Sequence, residues 1–594
     1  MRVKSVAMVP RSRIGWLAVA AIVGVTSIGT SQSAYRTLND RFPAPRYTDR
    51  AAWEARAAYV RQHVLASAGL LPLPDKRPLN ANVFGDIKRA DYTVAKVHFE
   101  SLPGFLVTGN LYRPIGDGPF PAVLSPHGHW TYGRLENTTL NSGPGRAIGL
   151  ARQGFVVFTY DMVGYLDSQQ LPHTFGGKRE QLWGLSLAGL QLWNSMRAVD
   201  FLESLPYVRR DAIGMTGESG GGTQTFLLSA VDPRIAVSVP VNMISLHMQG
   251  GCLCENPPGL RLDITNVEIA ATIAPRPLLM ISATGDWTKE TMELEYPAVR
   301  SIYSLAGEAD KVHAIRVDAD HNYNKPSREA MYAWMARWLK NAPAADRIAE
   351  KSFTPEPLQN LLVFHGRSLP PGSVTAAQLT EYWIGEAKRQ LDSTPTAVLT
   401  ESLQHAFGLP PSTRIANPKD KLARPRTALL SEPSPELEAE LKRKGVRSVV
   451  VRFTPFDKEA AAKINHFETY NRTAASQRVA DIVAALREHP GAALVARGDE
   501  ALAALLAVGI EPSARAVLDV DRFDTSSDQE YADRLFVPGL RRAGDFGTAA
   551  LSRDGLIIVH NAGDRFTVKG LQVRPQPLSV KEIVEVITSQ DPRP

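Results

Sequence analysis

The chain has 594 residues, 44% of them hydrophobic and 22% charged. Those proportions are ordinary for globular protein, and the length exceeds what one hydrophobic core organises, so two or more domains are expected. A mostly disordered chain and a multi-span membrane protein are excluded. The formal charge is +6, but Arg2, Lys4, Arg11 and Arg13 all precede residue 34 with no acid among them. The remainder is close to balanced, which gives no electrostatic reason to expect nucleic acid as a partner.

Residues 1–33 combine that basic cluster with an apolar run over 14–29 and the small polar residues TSQSA. This is the layout of a secretory signal, so export to the periplasm or medium is expected. The run is short for a spanning helix, and an uncleaved anchor is the alternative. Residues 34–110 read as a lead-in: a helical pattern over 51–71, a Pro-rich stop (LPLPDKRPLN), then two alternating runs, 92–101 and 104–114, joined by a Leu-Pro-Gly turn into a hairpin.

From residue 120 the pattern alternates strand and helix. Apolar strands are expected at 121–126, 155–161, 212–217, 235–241, 277–283 and 313–319, with amphipathic helices between most of them. That alternation predicts a largely parallel sheet covered on both faces, the α/β class, over 111–345. Residues 346–425 hold one helical stretch and a Pro-rich linker. A second alternating series follows over 426–594, with strands at 427–431, 448–453, 492–496, 516–520 and 555–560.

The chemistry centres on Gly217-Glu218-Ser219-Gly220-Gly221, set between a strand and a helix. G-x-S-x-G in that context is a nucleophile elbow: the glycines permit the tight turn, and the helix start aims N–H groups at the serine oxygen. Serine needs a base. Among 13 histidines, His321 follows the final strand of the first unit, whereas His247 and His313 fall in a long excursion and at a strand start. The histidine needs a carboxylate, and Asp286, after strand 277–283, occupies that place in chain order. Glu290 is the reserve; Asp320 adjoins His321 and would point elsewhere on extended backbone. One oxyanion donor is the Gly220 N–H. The other is expected from the loop Ser125-Pro126-His127-Gly128-His129-Trp130, through the N–H of His129.

Trp130, Trp183 and Trp287 fall near loops expected at the catalytic end of the sheet, and their faces would suit sugar rings. Cys252 and Cys254 are the only cysteines, so the chain is not a disulfide scaffold. A C-x-C bridge, free thiols and metal ligation all remain open for them. No His/Asp cluster of metal spacing lies nearby in sequence, and the His127/His129 pair lacks an acidic third ligand, so no metal and no cofactor are expected.

The motifs SPHGHW, GESGGGTQT, ISATGDWT and DADHNYN, with the hairpin ending in GNLYRP, resemble the α/β-hydrolase superfamily over about residues 50–345, and within it the exported bacterial esterases related to acetyl xylan esterases. The resemblance implies a Ser219–His321–Asp286 triad, an oxyanion hole at His129 and Gly220, and a small-molecule or polysaccharide ester as substrate. Glucuronoyl esterases carry an arginine where this chain has Gly220, and dienelactone hydrolases a cysteine where it has Ser219. The C-terminal unit resembles a second, degenerate hydrolase domain, with Ala496-Arg497-Gly498-Asp499-Glu500 at its elbow and His560 and Asp564 near its later strand. Two rival readings are a serine peptidase of the prolyl-oligopeptidase type and a non-catalytic carbohydrate-binding protein. Too few residues precede the sheet for the propeller of the former, and the intact Ser, His and Asp weigh against the latter.

Overall fold

Fifteen strands assort into two sheets in a computed structural model that describes residues 35–247, 250–410, 424–552 and 555–589. The expected signal segment and most of the Pro-rich stretch lie outside the described residues. The first sheet comprises β1 (Asn82–Lys88), β2 (Tyr92–Leu102), β3 (Phe105–Pro114), β4 (Phe120–Leu124), β5 (Val156–Tyr160), β6 (Val208–Glu218), β7 (Ile235–Val241), β8 (Leu278–Ala283) and β9 (Val312–Val317). Their spatial order is β1-β2-β3-β5-β4-β6-β7-β8-β9. The hairpin β2–β3 turns at Gly104, whose φ of +69° favours a residue without a Cβ. From β5 to β9 every neighbouring pair is parallel, as the near-continuous apolar strands require when both faces are covered.

Helices α1 (Arg50–Ser67), α3 (Leu187–Ser204) and α4 (Gly220–Val231) contribute to the larger apolar core, on one face of the sheet. Helices α2 (Gly143–Arg152) and α5 (Lys325–Lys340) close the other face over a second core that includes Val123, Val239 and Ile281. Side-chain caps start these helices where the sequence supplies Ser or Asn: Ser142, Ser186 and Asn324 each accept a backbone N–H of the first turn.

The second sheet comprises β10 (Thr427–Leu430), β11 (Arg447–Val450), β12 (Ala493–Arg497), β13 (Arg515–Asp519), β14 (Leu556–His560) and β15 (Gln572–Val573), in the order β11-β10-β12-β13-β14-β15 and wholly parallel. This order repeats that of β5-β4-β6-β7-β8-β9 step for step, so one strand order occurs twice in the chain. Helices α6 (Ala376–Leu391) and α7 (Thr396–Ala406) pack between the halves, and the larger core runs without interruption from Trp53 to Phe566. Residues from Arg36 onward form one compact unit. Among the described residues no helix is long and apolar enough to cross a membrane.

Candidate active site

Ser219 sits between β6 and α4 with φ 55° and ψ −121°, a strained conformation for a residue with a Cβ. The surroundings impose it. Its N–H donates to the Val241 carbonyl at 3.1 Å, and its own carbonyl accepts the Thr223 N–H at 2.8 Å. The glycines around it are dictated by contact: a Cβ on Gly221 would lie 2.6 Å from the Pro126 carbonyl oxygen, and one on Gly220 would lie 2.8 Å from the His129 ring. A side chain in place of Gly220 would require the His129 ring to shift.

Asp286 and His321 follow β8 and β9 at the same end of the sheet. His321 Nδ1–H donates to Asp286 Oδ2 at 2.7 Å, and Asp286 Oδ1 is fixed by the Thr288 N–H at 2.7 Å and the Thr288 hydroxyl at 2.5 Å. This pairing leaves His321 Nε2 with the lone pair, and that nitrogen is buried without a hydrogen-bond partner. Ser219 and His321 are therefore not hydrogen-bonded in this structure, a separation common in ligand-free hydrolases. Asn242 ties the two loops together, its N–H donating to the Ile281 carbonyl and its Nδ2 to the Asn322 carbonyl at 3.0 Å. The reserve carboxylate Glu290 is committed to Arg41.

The loop after β4, where the second oxyanion donor is expected, is organised by a residue the motif leaves blank. Glu218, wholly buried beside Ser219, accepts from Gly128 N–H at 3.1 Å, Trp130 Nε1 at 2.9 Å, Asn141 Nδ2 at 3.0 Å and, on its other oxygen, Arg146 at 2.9 Å. Arg146 in turn lies 4.4 Å from the centroid of Tyr323. Gly128 N–H is spent on Glu218 and Trp130 N–H on the Gly128 carbonyl, so of the three amides in this turn those flanking His129 are both engaged. The only sequence signal for Glu218 is an acid in a run of otherwise apolar and small residues.

The three tryptophans separate. Trp287 stacks on His321 with ring centroids 4.6 Å apart, and Trp130 is held by Glu218. Trp183 is a correction: it is 2% exposed, its Nε1 donates to Asp528 at 2.9 Å, its carbonyl accepts from Trp383, and the guanidinium of Arg541 covers its ring. It is part of the seam between the two sheets and meets no substrate there, because residues of the C-terminal unit bury it.

Tertiary structure also corrects the expectation that no metal-ligating cluster surrounds the cysteines. His129, His173, Cys252 and Cys254 place one ligand atom each within 4.8 Å of all the others. His127, by contrast, is spent: Nδ1–H donates to the Gly128 carbonyl at 2.7 Å, Nε2 accepts the Met162 N–H at 3.0 Å, and burial drives its pKa down to about 3. The Cys254 hydrogen bond, followed by those from His129 and His173, outweighs burial and pulls the Cys252 thiol down, whereas burial and then Cys252 push the Cys254 thiol up.

No protein-family model matches the chain. The hydrolase candidate YtaP of Bacillus subtilis (strain 168) is 25% identical over 288 residues, 45% of this chain and 95% of its own. Among solved structures, Methylesterase BT1017 is similar at 29% identity with a TM-score of 0.50, over 59% of this chain and 78% of its own. A candidate acetyl xylan esterase from Bacteroides fragilis (BF1801) aligns at 16% identity and a TM-score of 0.39, over 47% and 78%. The chain has an α/β-hydrolase fold, and its likeness supports hydrolase activity of the esterase type.

Proposed function

We propose that the protein is a serine carboxylic ester hydrolase acting on acetylated carbohydrate, with Ser219 as nucleophile, His321 as base and Asp286 as the orienting acid. The observation that carries this reading is the His321–Asp286 hydrogen bond, which leaves an unpartnered Nε2 at the strand ends where Ser219 stands in its elbow. His321 takes the Ser219 proton as Oγ attacks the ester carbonyl. The N–H groups of Gly220 and His129 receive the developing oxyanion. His321 then protonates the leaving alcohol, and water, activated by the same nitrogen, hydrolyses the acyl-enzyme. An exported location fits a polymeric substrate and the N-terminal sequence.

A second reading keeps the chemistry and changes the ester. The likeness to Methylesterase BT1017 favours a carbohydrate methyl ester, in which the polymer supplies the acyl group and methanol leaves. The test is release of acetate from acetylated xylan and 4-nitrophenyl acetate beside release of methanol from a methyl-esterified polysaccharide, each with wild type and Ser219→Ala. Acetate from xylan by wild type alone supports the first reading; methanol alone replaces it with the second. Equal ester turnover by Ser219→Ala would overturn both. The expected loss in that variant is about 10⁴-fold or more, with the melting temperature unchanged.

A further inference from the structure

Three separate crossover loops meet beside the elbow. His129 stands after β4, His173 in the loop after β5, and Cys252 and Cys254 in the excursion after β7. His129 Nε2 lies 3.2 Å from His173 Nε2 and 3.1 Å from Cys254 Sγ, and Cys252 completes a set of four donors within 4.8 Å of one another. A tetrahedral ion with bonds of about 2.0–2.1 Å to nitrogen and about 2.3 Å to sulfur separates its ligand atoms by roughly 3.3–3.8 Å. Two of the separations in the cluster are close to that range, and the rest lie within 4.8 Å, a contraction that small side-chain rotations supply.

The surroundings orient the donors. His173 Nδ1–H donates to the Val163 carbonyl at 2.5 Å, which leaves its Nε2 unprotonated and aimed into the cluster, the arrangement that metal-bound imidazoles share. The ring of Tyr165 packs edge-on against both His129 and His173. The Cys252–Cys254 turn is built in place: Cys252 N–H donates to Glu255, and Asn256 Nδ2 donates to the carbonyls of Gly250 and Cys252 at 2.9 and 2.8 Å. Residues of the C-terminal half brace it, with the Thr469 hydroxyl donating to the Asn256 carbonyl at 3.0 Å. Both thiols are free, with no disulfide between them.

We propose that His129, His173, Cys252 and Cys254 form a closed tetrahedral site for one zinc ion, which clamps the three loops and fixes the His129 turn over Gly220. Two thiolates and two imidazoles are a donor set that selects zinc, and four protein ligands leave no open position, so the role is structural. Binding exchanges the two thiol protons for the cation and releases them to solvent. The site is independent of the ester reading: it stands or falls on metal, whatever the hydrolase turns over.

The experiment uses the full chain. Zinc is measured by plasma mass spectrometry after dialysis, then removed with a chelator and replaced by cobalt(II). One zinc per chain is expected, together with sulfur-to-cobalt charge transfer and the intense visible bands of a tetrahedral site. Zinc is also expected to raise the melting temperature of stripped wild type and to leave that of the Cys252→Ser/Cys254→Ser variant unmoved. A wild-type chain that binds no zinc, gives only the weak spectrum of an octahedral cobalt ion, or is isolated lacking two hydrogens in mass, as a Cys252–Cys254 disulfide, would overturn the proposal. These wild-type readouts decide the question even if the double variant does not fold.

Discussion

The two sheets share one strand order and one kind of corner, yet the corners differ in the side chains gathered around them. At the end of β6, Ser219 holds φ 55° and ψ −121°; at the end of β12, Gly498 holds φ 62° and ψ −135°. The backbone path is the same, and a helix begins immediately after it in both. What differs is the furniture. The residue before Ser219 is the buried Glu218 with four donors, whereas the residue before Gly498 is Arg497, its side chain 70% exposed and 3.7 Å from Asp519. After β9 stands His321; after the two-residue β15 stands Arg574. The helix following Gly498 (Asp499–Ile510) is buried at every residue from 501 to 510, so its side chains are taken up by packing. An elbow is thus a way of turning a strand into a helix, and it becomes a nucleophile site only where a base, an acid and an oxyanion loop converge on it.

The strongest challenge to this contrast is to move the nucleophile. A Cβ on Gly498 would meet nothing within 4 Å, so a serine fits there at a backbone cost of about 1–3 kcal/mol. The double variant Ser219→Ala/Gly498→Ser is expected to hydrolyse 4-nitrophenyl acetate no faster than Ser219→Ala alone, because none of the described residues after β15, the place His321 occupies after β9, is a histidine. Recovery of even a hundredth of wild-type turnover would show that the second half retains a base. Next in size is Glu218→Gln. It leaves the buried Arg146 unpaired, a cost of about 3–5 kcal/mol, and loosens the turn that presents His129. A melting temperature within two degrees of wild type would contradict the role given to Glu218.

Much of this was legible along the chain where the information is local. The elbow is strand, turn and helix within some two dozen consecutive residues, and Asp286 and His321, which the structure pairs, follow their own strands in fixed order, so all three could be put forward from spacing. β1 escaped because it is an exposed edge strand, NVFGDIK, with no buried face to give a period of two. β15 is two residues long and has no periodicity to read. The partners of Cys252 and Cys254 lie about 80 and 125 residues upstream, on loops that only the sheet order brings together. Trp183 misled for the opposite reason: its place near the catalytic loops is real in sequence, but Asp528 and Arg541 arrive from the other half and enclose it.

The seam between the halves has its own titration. His63 on α1 and His405 on α7 are buried, with Nδ1 atoms 3.1 Å apart, and His63 Nε2–H donates to the Gly259 carbonyl at 2.9 Å. Burial lowers both pKa values, that of His405 to about 3 with the His63 charge adding to the effect; Asp263 and the Gly259 carbonyl oppose burial at His63 without overcoming it. The unfolded chain, with histidines near 6.5, therefore takes up protons first as pH falls. The His405 contribution is complete above about pH 6.5 and is lost toward pH 3, at about 1.4 kcal/mol per pH unit, and His63 acts in the same direction. Denaturant melts at pH 7.5 and 5.0 should differ accordingly, and His405→Gln should flatten the difference. Identical curves for both proteins would mean the seam tolerates charge, and that the two halves are less tightly joined than their shared core implies.

The smallest effect expected is at Arg497, the counterpart of Glu218. Its guanidinium is mostly in water and its ion pair with Asp519 is long, the kind of surface pair that contributes between nothing and about 1 kcal/mol. Its N–H donates to the Ser431 hydroxyl at 3.2 Å, a contact that alanine preserves. Arg497→Ala should therefore shift stability by less than about 0.5 kcal/mol and leave ester turnover as it was. The paired measurement is the informative one: the same position in the same fold, stripped of its charge in each half, with a large loss at the first corner and none at the second. If Arg497→Ala cost as much as Glu218→Gln, the second corner would be holding something through that side chain, and the division between a working half and a packing half would fail at the residue where it is drawn most sharply.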